Sequence, residues 1–308
     1  MRTIEIVNGP KNASAVILGC MRMPNLSVGD AAKMIGTAAE EGVNFFDHAT
    51  CYGSGEAETR FGDAFGLTGL RREDVILQSK CGLHFDRQEF DWSKEDILDS
   101  VDGSLRRLRT DYLDVLLLHR PDLLFEPEQV AEAFDILAKS GKVRFFGVSN
   151  VTPGQLQLLK KFVTRPLVIN QLQFSLEQTQ LIDPALYLNN LSTDRSCDRD
   201  NGILEYCRLN DITIQAWSPL QFGMFGGCFL DHPDFPELNK ALGETGEKYG
   251  VTKSAVAIAW ILRHPARMQA IAGTMDPQHL KDICAASRVD LTHHEWYRLY
   301  LAAGKYLP

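Results

Sequence analysis

The chain is poor in positive charge: 32 Lys and Arg stand against 40 Asp and Glu, a formal net charge of −8. Nucleic acid, whose phosphates demand a basic footprint, is therefore excluded as a partner. No block of like charges forms an acidic or basic tail. No apolar run approaches the length that spans a bilayer, so no membrane partner is expected. The opening Met1-Arg2-Thr3-Ile4-Glu5-Ile6 lacks the apolar core of a secretory leader. Cysteine is sparse and unpaired in pattern. Cys20, Cys51, Cys81, Cys197, Cys207, Cys228 and Cys284 are odd in number, widely spaced, and contain no CxxC. That excludes a disulfide framework and a zinc knuckle, and points to reduced thiols in the cytoplasm. Internal repeats and domain linkers are absent too.

What is present is an alternation of two kinds of segment. With 308 residues, 44% of them hydrophobic, the chain can bury a large core. Eight short runs are rich in Val, Ile, Leu and Phe: Ala15–Cys20, Val43–Ala49, Val75–Lys80, Leu113–His119, Val143–Asn150, Leu167–Phe174, Ile212–Pro219 and Gln269–Gly273. Such unbroken apolar runs suit parallel strands covered on both faces. Between them lie amphipathic stretches with helix-start signals. Val28, Ala31, Ala32, Ile35 and Ala39 share a face behind Ser27 and Asp30. Ser93 with Asp96, Thr152-Pro153 and Asp276-Pro277 mark further starts.

Eight strands alternating with helices predict an α/β fold. Count and length favour a closed (β/α)8 TIM barrel, one domain over residues 1–308, over an open doubly wound sheet. Ile4–Val7 reads as one arm of a small hairpin ahead of the barrel, and Thr292–Ala303 as a C-terminal helix outside it. Long loops are expected at about 81–92, 181–202 and 221–228. Their Phe85, Phe90, Trp92, Phe222 and Phe225 are candidates for an apolar pocket wall.

Barrel enzymes carry their sites at the C-terminal ends of the strands. Asp47, Lys80, His119, Asn150, Gln171 and Ser218 close six different apolar runs, and closure would gather them into one ring. Tyr52 sits in the loop leaving the second run. Each residue alone has a plainer reading: Asp47 a cap, Lys80 a solvated strand end, His119 a core histidine, Tyr52 a rim tyrosine. Together they suit hydride transfer coupled to protonation. A carbonyl that accepts hydride needs an acid beside its oxygen. A tyrosine stays protonated at neutral pH, and a nearby ammonium pulls its pKa down. Asp47 would hold Lys80, and His119 would orient the carbonyl.

These residues carry a resemblance. Asn44-Phe45-Phe46-Asp47-His48-Ala49 with Tyr52-Gly53, then Gln78-Ser79-Lys80, then Leu116-Leu117-Leu118-His119-Arg120, resemble the aldo-keto reductase signature. The resemblance implies that Asp47, Tyr52, Lys80 and His119 form a catalytic tetrad with Tyr52 as the acid. It implies NAD(P)H-dependent reduction of small aldehydes or ketones to alcohols, that is, an oxidoreductase acting on CH–OH groups. It assigns Ser149, Asn150 and Gln171 to the nicotinamide carboxamide. Trp217, Ser218, Pro219 and Leu220 match the segment that stacks on nicotinamide and reaches the pyrophosphate.

One segment departs from the pattern. Where the family commonly places Lys, Ser and Arg against the adenosine 2′-phosphate, this chain has Gly273, Thr274 and His279. Two fixed charges are missing. The resemblance still implies NADP(H) ahead of NAD(H), as is usual in the family; Thr274 can donate a hydrogen bond, and His279 can carry charge if its pKa is raised. Two alternatives stay open: a cofactor-binding regulatory barrel without turnover, and an aldolase-type barrel using Lys80 as a Schiff base. Three features are set aside. Gly53-Ser54-Gly55 lacks the third glycine of a dinucleotide fingerprint, because Glu58 occupies it. Cys51 beside Tyr52 reads as packing rather than a reactive thiol. His293-His294-Glu295 has no zinc-helix spacing and reads as a first helical turn.

Overall fold

Apolar runs flanked by caps become eight parallel strands that close into a barrel. They are β1 (Val16–Gly19), β2 (Phe45–Asp47), β3 (Ile76–Cys81), β4 (Leu113–Leu118), β5 (Val143–Ser149), β6 (Leu167–Gln173), β7 (Thr213–Trp217) and β8 (Gln269–Ala272). Each pairs with its sequence neighbour, and β8 returns to β1 through Ile271 opposite Ile17. The expected strands stand where they were placed, within a residue or two at their ends. This computed structural model describes every residue except Leu191 and Phe225.

The helices follow the strands: α1 (Val28–Glu40), α2 (Glu56–Phe65), α3 (Lys94–Leu108), α4 (Pro127–Lys139), α5 (Pro153–Phe162), α6 (Ile203–Leu209), α7 (Pro236–Tyr249), α8 (Lys253–Leu262), α9 (Pro277–Cys284) and α10 (His293–Ala302). Ser27, Ser93, Thr152 and Asp276 all cap as anticipated, each accepting a first-turn backbone N–H. Such caps satisfy donors that a helix start otherwise leaves without partners. Helix α10 begins with a reciprocal Thr292–Glu295 box, so His293-His294-Glu295 is indeed a first turn. Trp296 of α10 stacks on Trp260 of α8 with ring centroids 4.8 Å apart. Among the described residues, no helix is long and apolar enough to cross a membrane.

Strand alternation sorts side chains into two cores. Phe46, Leu77, Leu116, Leu118, Val148, Ile214 and Ala216 point outward and pack under the helices. Ile17, Phe45, Ile76, Val115, Leu117, Ile169 and Ile271 fill the barrel interior. Gly147 faces that interior, where a Cβ would stand 2.7 Å from both the Ile169 carbonyl and Leu117 Cδ2. The same alternation decides what lies one layer above. Two residues past Phe45 comes Asp47, and two and four past Ile76 come Gln78 and Lys80. Two past Leu117 is His119, two past Ile169 is Gln171, and two past Gln215 is Trp217.

Three expectations need correction. The N-terminal ribbon pairs Thr3–Ile4 with Ala13–Ser14, not Ile4–Val7. Ile6 already enters the turn, its carbonyl accepting from the Gly9 N–H at 2.9 Å, with Asn8 left-handed at φ 56°. The 81–92 loop is partly ordered as an antiparallel pair, Leu83–His84 with Glu89–Phe90. The 181–202 stretch is not wholly irregular. It holds a short helix, Asp183–Leu186, started by Pro184, and a 3-10 turn, Asp194–Ser196.

Candidate active site

Lys80 sits at the base of the tetrad, inside the barrel. Its side chain is fully buried, and its ammonium donates to both oxygens of Asp47 at 2.8 Å and to the His48 carbonyl at 2.7 Å. Burial pulls the ammonium's pKa down. The Asp47 and Tyr52 charges outweigh it, and the net shift is upward. A lysine locked as an ammonium is no Schiff-base nucleophile, so the geometry does not support the aldolase alternative. Lys80 Nζ stands 4.8 Å from the Tyr52 ring centroid, and the Tyr52 and His119 rings meet edge-to-face at 5.9 Å. The four residues, drawn from three runs and the loop after the first of them, are thus brought together.

Tyr52 is delivered by a tight turn. Gly53, Ser54 and Gly55 are all left-handed, with φ of 57°, 53° and 91°, and lead directly into α2. This is the strand-to-helix turn read from the sequence. Glu58 faces inward there, accepting from Ser79 Oγ at 2.6 Å and pairing with Arg107 at 2.7 Å.

The direction of the Tyr52 shift differs from the sequence expectation. Burial pushes the phenol up to about 12, although the Lys80 charge pulls the other way. Desolvation disfavours phenolate more than the ammonium favours it, because that ammonium is already largely neutralised by Asp47. Lys80 therefore limits the rise rather than producing a fall. His119 goes the opposite way. Burial first, then the Lys80 and Arg120 charges, hold its pKa well below the usual imidazole value. The ring is neutral at pH 7. Its Nδ1 lies 3.5 Å from Cys51 Sγ. Burial raises that thiol to about 11, so Cys51 stays a thiol rather than a reactive thiolate. All seven cysteines are free.

Sequence reading missed a buried carboxamide network. Gln78 Nε2 donates to Asp47 Oδ1 at 2.6 Å and to Gln215 Oε1 at 2.8 Å. Gln171 Nε2 donates to the same two acceptors at 3.1 and 3.0 Å. Gln215 passes the chain to Gln269, and Gln269 donates to the Ser14 carbonyl. Gln171, assigned from the resemblance to a carboxamide ligand, thus spends its amide nitrogen on Asp47 and Gln215. Among the described residues nothing donates to its Oε1.

Ser149, Asn150, Gln171 and Trp217 converge at the ends of β5, β6 and β7. Ser149 Oγ donates to the Gln171 carbonyl at 2.9 Å, and Asn150 Nδ2 to Ser149 Oγ at 2.8 Å. The Trp217 indole donates to Asn150 Oδ1 at 3.1 Å, which fixes the ring. Asn150 and Ser218 are both left-handed, at φ 59° and 51°. Ser218 then turns through Pro219 and Leu220, its carbonyl accepting from the Gln221 N–H.

Farther out, Gly273 offers its carbonyl to Arg22 Nη1 at 3.0 Å. Thr274 Oγ1 accepts from the Asp276 N–H, and His279 is exposed with its own N–H capped by Asp276. The His279 and Gln278 backbone N–H groups lower the Asp276 carboxyl, and the Lys33 charge on α1 adds a smaller pull in the same direction. Arg22 therefore brings a positive charge to the segment that lacks the family's Lys and Arg, and the Lys33 charge is felt there more weakly. Neither is near it in sequence.

The expected pocket wall is only partly confirmed as accessible. Trp92 is fully buried against Phe125, at 5.1 Å, and belongs to the core. Phe85 and Phe90 are exposed. Phe222 packs on His232 and Phe235. Phe225 lies outside the described residues.

Comparison with known proteins places this geometry. The family model described as "Aldo/keto reductase family" matches residues 15–300. The chain is 34% identical over 305 residues to the "Uncharacterized oxidoreductase YcsN" of Bacillus subtilis (strain 168), covering 95% of each. It is 34% identical over 274 residues to the 6-dehydroglucose reductase of Agrobacterium fabrum, covering 86% of this chain and 85% of that one. Among solved structures it resembles an aldo/keto reductase from Klebsiella pneumoniae in complex with NADP and acetate. There the TM-score is 0.73 at 26% identity, over 93% of this chain and 90% of that one.

Proposed function

The chain belongs to the aldo/keto reductase family, and on that premise we propose that it reduces an aldehyde or ketone to an alcohol with NADPH, Tyr52 acting as the proton donor. The observation that carries this reading is the buried Asp47–Lys80 pair set under the Tyr52 phenol, with a neutral His119 beside it.

The donor set suits a nicotinamide. Trp217 presents a ring fixed by Asn150, and Gln171 Oε1, Asn150 and Ser149 supply polar atoms around its edge. Ser149, Asn150, Gln171 and Trp217 would hold the nicotinamide amide and ring. Ser218, Pro219 and Leu220 would line the path toward the phosphates. When bound, the reduced cofactor supplies the hydride.

The protein's own residues do the rest. Tyr52 keeps its proton across the neutral range because burial raises its pKa, so it presents an O–H to the carbonyl oxygen. The Lys80 charge favours the phenolate left after transfer, and Asp47 keeps that charge in place. The proposed tautomer has the Cys51 thiol, held protonated, donating to His119 Nδ1 across their 3.5 Å contact. That leaves the imidazole proton on Nε2, free to donate to the same carbonyl oxygen. Two donors thus meet the oxygen where negative charge develops.

NADP rather than NAD is supported by the NADP bound to the Klebsiella relative and by Arg22 and Lys33 beside the Gly273–His279 segment. The test is reduction of a broad carbonyl panel with NADPH and with NADH. Sugar-derived aldehydes belong in it, since relatives are named for 6-dehydroglucose. Turnover with NADPH ahead of NADH is expected. Tight NADPH binding without oxidation by any carbonyl would favour a regulatory barrel instead.

A further inference from the structure

We propose that Arg120 recognises an anionic oxygen group, a carboxylate or phosphate, carried by the carbonyl substrate. This rests on the reading of the site given above. Arg120 follows His119 at the end of β4, and its guanidinium carbon lies 5.7 Å from the Trp217 ring centroid. Its charge acts on His119, and the Tyr52 phenol acts on it. The guanidinium therefore faces the Trp217 ring and lies within electrostatic reach of His119 and Tyr52.

It also stands without an ion partner. Arg120 is half-buried, and among the described residues no carboxylate pairs with it. Arg72, Arg107 and Arg195 are also withdrawn from water, and each meets a carboxylate at 2.7 Å. Burial is the main influence on Arg120, and it holds the pKa below the ordinary arginine value. Removing a guanidinium from water without an anion is unfavourable. Its planar fork of donors matches a carboxylate or a phosphate. Lys80 cannot serve that purpose, because Asp47 already neutralises it. Nor does the chain's net charge draw anions from afar. A ligand anion at this rim can be held only locally, and Arg120 is the cation placed to hold it.

The test pairs substrates that differ in one charge: succinic semialdehyde with its methyl ester, and glyceraldehyde 3-phosphate with glyceraldehyde. Each is assayed with saturating NADPH in the wild type, Arg120→Gln and Arg120→Lys. The wild type should prefer the anionic member of at least one pair, and which pair tells carboxylate from phosphate. In Arg120→Gln the anionic-to-neutral ratio of kcat/KM should fall by about tenfold or more, through KM, as expected for a lost charged hydrogen bond. Arg120→Lys should restore part of it. NADPH affinity, measured by Trp fluorescence, reports both folding and any role toward the cofactor. An unchanged ratio in Arg120→Gln, or a wild type indifferent to charge, overturns the proposal. So does a weakening of NADPH that accounts for the whole loss. A wild type that reduces no carbonyl at all instead defeats the reductase reading beneath it.

Discussion

The Lys80 ammonium and the Asp47 carboxylate meet at 2.8 Å inside the barrel, with 0% and 3% of their side chains exposed. Such a pair is not there for stability, because desolving two charges offsets most of their attraction. Breaking it from one side is another matter. Lys80→Met leaves a buried carboxylate and Asp47→Leu a buried ammonium. Each should destabilise the fold by about 3–5 kcal/mol. The double variant should recover much of that loss, while carbonyl reduction stays lost in all three. Denaturant unfolding of the four proteins checks this as a double-mutant cycle.

Gln215 is the hub of the carboxamide network, its Oε1 accepting from both Gln78 and Gln171. In Gln215→Leu, Gln78 and Gln171 each lose an acceptor and Gln269 Oε1 loses its donor. The cost should be about 1–3 kcal/mol for each group left unsatisfied. Activity should fall as well, since Gln78 and Gln171 also hold Asp47 Oδ1. Thermal melts and kcat on one preparation test both effects.

His48 gives stability a pH dependence. Burial, then the Lys80 charge, lower its pKa from 6.5 to about 3. The unfolded state therefore binds a proton below pH 6.5 that the folded state refuses. Stability from this group is full above that pH and declines as pH falls toward 3. By pH 4.5 the loss from one such histidine is about 2–3 kcal/mol. His119 is shifted in the same direction and adds to it. His48→Gln should flatten the decline of unfolding free energy between pH 6.5 and 4.5.

Arg22 tests the cofactor assignment. Arg22→Ala should raise the KM for NADPH more than that for NADH, by roughly five- to tenfold in the ratio for one charged contact. Lys33→Ala should act in the same sense and more weakly, because among the described residues no hydrogen bond ties Lys33 to the segment as Arg22 is tied to the Gly273 carbonyl. Equal effects on both cofactors would remove these residues from 2′-phosphate recognition.

The barrel was legible because its signal is local. Apolar runs, caps at Ser27, Ser93, Thr152 and Asp276, and their alternation fix strands and helices within a few residues of themselves. The Asp47, Tyr52, Lys80 and His119 set was legible because strand ends converge once closure is assumed. What escaped depends on neighbours distant in sequence. Arg22 reaches Gly273 across 251 positions, and Gln78 reaches Gln215 across 137. The glutamines did leave a trace: Gln78, Gln215 and Gln269 interrupt apolar strands at inward positions, as extending the alternation would have shown. The Tyr52 shift escaped for a different reason. A motif names the neighbouring charge but not the depth of burial, and burial decides the sign.

The account's central claim is that the Tyr52 hydroxyl supplies the proton. Its most direct test is single-turnover carbonyl reduction by Tyr52→Phe with NADPH pre-bound, alongside the NADPH affinity of the same variant. Loss of the acid should slow reduction by about 10²–10⁴-fold, with cofactor affinity preserved. A variant that reduces within about tenfold of the wild-type rate would contradict the claim, because that is less than a positioned general acid contributes.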